Sequence, residues 1–292
     1  MPGGAPYGRR QREAGRSEEV MDFVTIDLAA LGWDADRVSD ARRRADCQPG
    51  RVAWVERGVC TVLTAAGPLR ATLGGAVLAM AARDRTYLPC VGDWVLLATW
   101  PDRHVTVEVV LPRRTALLGS PAGRVGGRSS RTGTGGQILA ANLTATAVVE
   151  PMRPEPDFGR VGRLLALAQE SGARPLVVLT KSDLVADPAA VVRRVAAAAP
   201  GVPVLPVSAR RGAGLDPLRA EVASGRTLGL LGPSRSGRSS LVNVLAGAVA
   251  LPTSTSGRGD GAGRPHSAGR ALVAVPGGGA VVKTPGVRVV PG

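Results

Sequence analysis

The sequence predicts an α/β fold built on a parallel sheet with crossover helices, preceded by a small all-β barrel. Three observations carry this reading. Apolar runs alternate with helical stretches through the second half of the chain, the pattern of strands joined by helices that pack back onto their sheet. Ahead of them, short β-favouring runs broken by turn residues fill about sixty residues. Between the two textures, residues 121–136 are too rich in Gly, Ser and Arg to hold a regular element.

Each segment follows from its own residues. Residues 1–24 are Gly-, Arg- and Glu-rich without apolar periodicity and read as a mobile leader upstream of a second possible start, Met21. Residues 25–113 are expected to hold the barrel and a lead-in to it, with strands at 51–55, 58–63, 69–73, 94–98 and 105–111. A barrel of this size that touches nucleic acid is most often an OB-fold. Trp54, Trp94 and Trp100 stand among apolar strand residues and are expected in the barrel core rather than as base-stacking platforms. Asp93 reads as a turn former. Residues 114–142 are expected to be a flexible linker or basic loop. Residues 143–292 then carry strands at 145–149, 175–179, 202–207, 227–231, 271–275 and 280–282, helices at 159–171 and 188–199, and a helical run at 240–245.

Composition bounds the function. A chain of 292 residues, 44% hydrophobic, is long enough for one large domain or two small ones with ordinary cores. The 37 Lys and Arg against 23 Asp and Glu give a net charge of +14, which favours a polyanion: RNA, DNA or an anionic membrane surface. Charge alone does not choose among them, and Arg within an Ala/Gly/Val/Pro-rich composition is also what GC-rich coding produces. No apolar run approaches the roughly 18 to 20 residues of a membrane span, and the Arg9, Arg10 and Arg12 region lacks a signal core. The protein is therefore read as cytoplasmic, without a membrane partner. Cys47, Cys60 and Cys90 lack CxxC spacing and only His104 and His266 could add imidazole, so neither a disulfide framework nor zinc is expected.

The sharpest motif is Gly232-Pro233-Ser234-Arg235-Ser236-Gly237-Arg238-Ser239, between the apolar run 227–231 and the helical run that opens with Ser240. In such a loop the glycines let backbone N–H groups turn inward, and the helix N-terminus adds its positive dipole end, so a polyphosphate is cradled. Ser239 stands where a hydroxyl would ligate Mg²⁺. Arg238 replaces the usual Lys, keeping the charge but not the compact ammonium geometry. A second motif, Thr180-Lys181-Ser182-Asp183, closes the run 175–179. From the end of a strand, Asp183 can accept from N1–H and N2–H₂ of guanine while the Lys181 stem lies over the ring; adenine offers no such pair of donors. Val207-Ser208-Ala209 ends another strand, where a backbone N–H would meet guanine O6. The base-reading motif precedes the phosphate loop, the reverse of the usual order. A circularly permuted P-loop GTPase has this arrangement, and a sheet survives permutation when its original ends lie close together.

With these motifs in this order, the chain resembles the ribosome small-subunit-dependent GTPase A family (RsgA, also called YjeQ), from about Leu31 to Val290. The resemblance also rests on Pro89-Cys90-Val91-Gly92-Asp93-Trp94, Gln137 to Asn142, Val178 to Leu184, Gly232 to Asn243, and Pro276 to Gly279 leading to Thr284-Pro285-Gly286. It implies GTP and GDP as ligands with Mg²⁺, hydrolysis stimulated by the small ribosomal subunit, contact with its 16S rRNA, late subunit maturation, and a monomer. Three departures stand out. Lys283 occupies the place of the Asp in the family's Asp-Thr-Pro-Gly, setting a cation where a carboxylate holds the metal shell. The first switch is spread over residues 257–268, leaving Ser267 as its hydroxyl, beside His266, a loop residue. The chain stops at Gly292, short of the family's zinc-binding tail. Val287 fits the family's apolar residue at the usual catalytic glutamine position. Arg238 and Ser267 are thus the candidate catalytic residues, and with the metal and loop Lys both altered, hydrolysis is expected to be slow or absent. Two alternatives stay open: a degenerate paralogue that binds nucleotide or rRNA without turnover, and a P-loop ATPase or kinase.

Overall fold

In the N-terminal third, short apolar strands close on themselves around a common core. The computed structural model describes residues 25–41, 46–119, 124–125, 137–248, 250–251, 269–286 and 288–289. A short helix α1 (Ala35–Ala41) precedes β1 (Gln48–Glu56), β2 (Val59–Thr64), β3 (Gly67–Leu73), α2 (Gly75–Arg83), β4 (Trp94–Thr99) and β5 (Val105–Val110). Their closed order β1-β2-β3-β5-β4 is that of an OB barrel. On β2, Cys60 and Val62 turn inward to meet Val52, Ala71, Val95, Leu97 and Val107, and Val77 of α2 plugs the barrel. A single β-branched or Leu side chain buried in this way contributes about 1.5 to 3 kcal/mol.

Next come β6 (Ala116–Gly119), β7 (Arg124–Val125) and β8 (Gln137–Ala141). β6 and β8 pair antiparallel, with Leu117 opposite Ala140. The residues at each end of the expected linker are therefore ordered as strands, because Leu117, Ile138, Leu139 and Ala140 bury their apolar side chains. Most of 121–136 lies outside the described residues.

The remaining elements are β9 (Ala145–Pro151), α3 (Phe158–Glu170), β10 (Arg174–Thr180), α4 (Pro188–Ala198), β11 (Val204–Pro206), α5 (Asp216–Glu221), β12 (Thr227–Leu231), α6 (Arg238–Ala246), β13 (Ala271–Ala274), β14 (Ala280–Lys283) and β15 (Arg288–Val289). Six of them form a sheet in the order β11-β10-β9-β12-β14-β13, parallel except where β13 meets β14. β15 pairs with β7. The period of two divides each apolar strand between two faces. Ala145, Ala147 and Val149 of β9 and Leu176 and Val178 of β10 pack with Leu241, Val242 and Leu245 of α6. Val148, Val177 and Leu179 pack instead with Leu164, Leu165 and Ala168 of α3, in a core continuous with Trp94 and Leu96 on the barrel. Both crossover helices start where an aspartate caps them: Asp157 accepts from Arg160 N at 2.9 Å and Asp187 from Ala190 N at 2.9 Å.

Three side chains differ from expectation. Trp94 is core, but Trp54 packs outside the barrel against the sheet's core and Gly269. Trp100 is exposed and stacks on His104, since it falls just past the end of β4, in the turn that leads to β5. Asp93 does sit at a turn, but fully buried, in an ion pair with Arg113 at 2.7 Å and accepting from Cys90 N.

Candidate functional site

Parallel strands bring their C-terminal ends to one edge, and the candidate residues follow from that. Thr180 ends β10, Leu231 ends β12 and Lys283 ends β14, with β9 between β10 and β12. Adjacent strands lie about 4.8 Å apart, so the base-reading turn and the phosphate loop stand roughly two strand spacings from each other. A direct hydrogen bond joins them: Thr180 Oγ1 donates to the Ser236 carbonyl at 2.6 Å.

The phosphate loop is shaped by its glycines. A Cβ on Gly232 would collide with the Val149 carbonyl of β9. Gly237 caps α6 at φ 96 with a backbone that favours glycine, and Arg235 takes φ 64. Pro233 is half-buried, and Ser234 and Arg235 are exposed. Ser234 Oγ lies against Gly286. Ser236 is buried and its hydroxyl has no hydrogen-bond partner, lying over Gly232 inside the curl. Ser239 and Ser240 are half-buried on the first turn of α6.

Arg238 does not point outward from this loop. It is 6% exposed, and its Nη1 donates to the carbonyls of Thr284 at 2.6 Å and Pro285 at 2.8 Å, while Nη2 donates to Pro233 O at 3.3 Å. Burial lowers its pKa to about 10. The guanidinium fork ties the loop to the turn after β14, a contact that sequence reading missed because its acceptors are main-chain oxygens far along the chain. Thr284 is itself fully buried and donates to Leu230 O at 2.9 Å. Lys283 is 4% exposed; burial and then the Arg238 charge lower its pKa to about 8.

At the base-reading end, Lys181 adopts a left-handed φ of 60 and directs Nζ to the Arg153 carbonyl at 3.5 Å. The loop after β9 therefore borders this edge. Asp183 Oδ1 accepts from Ser208 Oγ at 2.6 Å, and this bond lowers the carboxyl pKa. Ser208 is buried and Ala209 half-buried beside it. Thr180, Lys181, Asp183, Ser208 and Ala209 thus gather at one end of the edge and the phosphate loop at the other. Ser267, His266 and Val287 lie outside the described residues.

A phosphate loop of this kind ordinarily works with Mg²⁺, a hard cation that takes oxygen ligands in octahedral geometry. The residues here do not fit one: two buried cations, Arg238 and Lys283, sit at the loop's foot. Among the described residues, no three of His, Cys, Asp and Glu gather where a metal ion would fit.

Known proteins bear on this geometry. The RsgA GTPase family model matches residues 110–291. The small ribosomal subunit biogenesis GTPase RsgA of Streptomyces coelicolor is 45% identical over 89% of this chain and 69% of its own length. The protein of the same name from Streptomyces avermitilis is 43% identical over 89% and 68%. Among solved structures, YjeQ from Thermotoga maritima matches with a TM-score of 0.60 at 22% identity, covering 82% of this chain and 75% of that one. YloQ, described as a circularly permuted GTPase, matches at 0.55 and 18% identity over 83% and 72%. The fold is thus the circularly permuted GTPase sheet with its barrel. Because the family match runs through the whole sheet and both of its loops, the chain belongs to the RsgA GTPase family.

Proposed function

We propose that this protein binds guanine nucleotide at the C-terminal edge of its sheet and acts as a GTPase in the biogenesis of the small ribosomal subunit. The observation that carries the reading is the Thr180 to Ser236 hydrogen bond, which fixes the base-reading turn and the phosphate loop at a separation one nucleotide can span. Guanine is the base because Asp183 presents a carboxylate steered by Ser208; each carboxylate oxygen keeps acceptor capacity for N1–H and N2–H₂. Lys181 and Ala209 flank the base, and Gly232 to Ser240 hold the phosphates. Arg238 stands on the phosphate side. The relatives' shared name, small ribosomal subunit biogenesis GTPase, supplies the partner, and the +14 net charge suits the 16S rRNA that such a partner presents. The protein works as a cytoplasmic monomer, with residues 25–113 as the RNA-facing barrel and 143–292 as the nucleotide domain.

The test is phosphate release from GTP with and without purified small subunits. Stimulation by the subunits is expected, and rates that ignore them would remove the reading. In a parallel competition, GTP should displace labelled GDP and ATP should not. Asp183→Asn should erode that preference by about 1.4 kcal/mol or more, tenfold in affinity; undiminished guanine preference would place the base elsewhere.

A further inference from the structure

A phosphate cradle works with a cation that faces its opening, and the one expected here is turned away. Arg238 occupies the place of the usual Lys, yet its guanidinium is buried and donates to the carbonyls of Thr284, Pro285 and Pro233. Lys181 directs its ammonium to the Arg153 carbonyl at the base end of the edge. Arg210 and Arg211 belong to that end as well, where both act on the Asp183 carboxyl. Within the loop itself, Gly232 to Ser239, one other cationic side chain remains, that of Arg235.

Arg235 is exposed near the middle of the loop, and among the described residues its guanidinium has no hydrogen-bond or ion-pair partner. Its backbone holds φ 64, a left-handed conformation that glycine adopts freely and other residues adopt at a cost. Folding alone would favour glycine at this position, and strain kept without a compensating contact inside the protein points to a use outside it. The next residue carries an independent sign of a ligand. The Ser236 hydroxyl is 1% exposed, has no hydrogen-bond partner and lies over Gly232 inside the curl. A phosphate oxygen there would satisfy it, one residue from a guanidinium whose planar fork suits phosphate.

We infer that Arg235, rather than Arg238, is the side-chain cation that binds the nucleotide's phosphates, while Arg238 ties the loop to the turn after β14. The inference rests on the guanine-nucleotide reading above and adds which cation meets the phosphates.

The experiment is titration of the full chain with a fluorescent GDP analogue, with guanosine, which has no phosphates, as a competitor. Arg235→Gly removes the guanidinium and relaxes the backbone, so its thermal midpoint should equal or exceed that of the parent. Its GDP affinity should fall about tenfold while its guanosine affinity holds within about twofold. Arg235→Gln keeps a side chain on the same backbone and should show the same loss, so the assignment does not depend on how the glycine variant folds. Arg235→Lys restores a charge and should recover part of the affinity. If both uncharged variants bind GDP within about threefold of the parent, the inference is overturned and the nucleotide reading stands. Equal weakening of GDP and guanosine, or a lysine no better than glutamine, would likewise reject Arg235 as the phosphate cation. A parent chain that binds no GDP would end both readings.

Discussion

Lys283 is a lysine whose charge the fold resists. Its pKa falls from 10.5 to about 8 because burial and the neighbouring Arg238 disfavour the ammonium. The consequence for stability has a definite sign. Between about pH 8 and 10.5 the unfolded chain holds a proton that the folded chain has released, so the folded state gains stability as pH rises through that window. Below it both states are protonated and the penalty is constant. Without nucleotide, the urea midpoint of the parent should therefore rise from about pH 7.5 to about 9.5 more steeply than that of Lys283→Met. Equal slopes would mean that Lys283 titrates as it does in water. Asp183 shows the opposite case: its bond from Ser208 favours the charged form, which keeps a carboxylate ready for guanine.

At the scale of the element, strand ends do the positioning and one hydroxyl links them. Thr180→Val keeps the volume but removes the donor to the Ser236 carbonyl, at a cost of about 1 kcal/mol in stability. If that bond sets the spacing between base and phosphates, GDP affinity should drop severalfold while guanosine affinity holds. Thermal unfolding and parallel titrations check this; an unchanged GDP affinity would show the spacing to be fixed by the sheet alone. Much at this scale was legible in the residues. The phosphate loop, with strand 227–231 before it and a helix after it, was readable because glycine spacing and apolar runs are local. α3 and α4 were readable from their amphipathic runs, and Asp157 and Asp187 each sit just ahead of one as its cap. The strands β6 and β8 were missed because a Gly- and Arg-rich run separates two apolar segments that find each other only in space. The destination of Arg238 was missed for a related reason: carbonyl acceptors carry no side-chain signature. Which way Trp54 and Trp100 face depends on register, which neighbouring composition does not reveal.

For the molecule as a whole, barrel and sheet share one core, and polar groups stitch the seam. Arg51 of the barrel is 1% exposed and donates to the carbonyls of Leu31, Gly92 and Asn142, with its guanidinium 5.3 Å from the Trp94 ring. Arg37 reaches Asn142 Oδ1 at 2.8 Å, and Asn142 in turn donates to Gly92 O at 3.0 Å. Arg51→Met would take this donor from the Leu31 and Asn142 carbonyls, while Gly92 O keeps Asn142, at about 1 to 3 kcal/mol. Urea unfolding should show a lower midpoint, and a loss below about 0.5 kcal/mol would mean that the seam holds without Arg51.

The strand order bears on how the chain is made. β9 lies between β10 and β12, yet β12 is synthesised only after α3, β10, α4, β11 and α5 have emerged. During translation the guanine-reading half is thus assembled while one edge of β9 still exposes open peptide groups, an invitation to pair with another nascent chain. Arrival of β12 covers that edge of β9 and, in the same step, brings the phosphate loop that follows it, while the open edge passes to β12 until β14 pairs there.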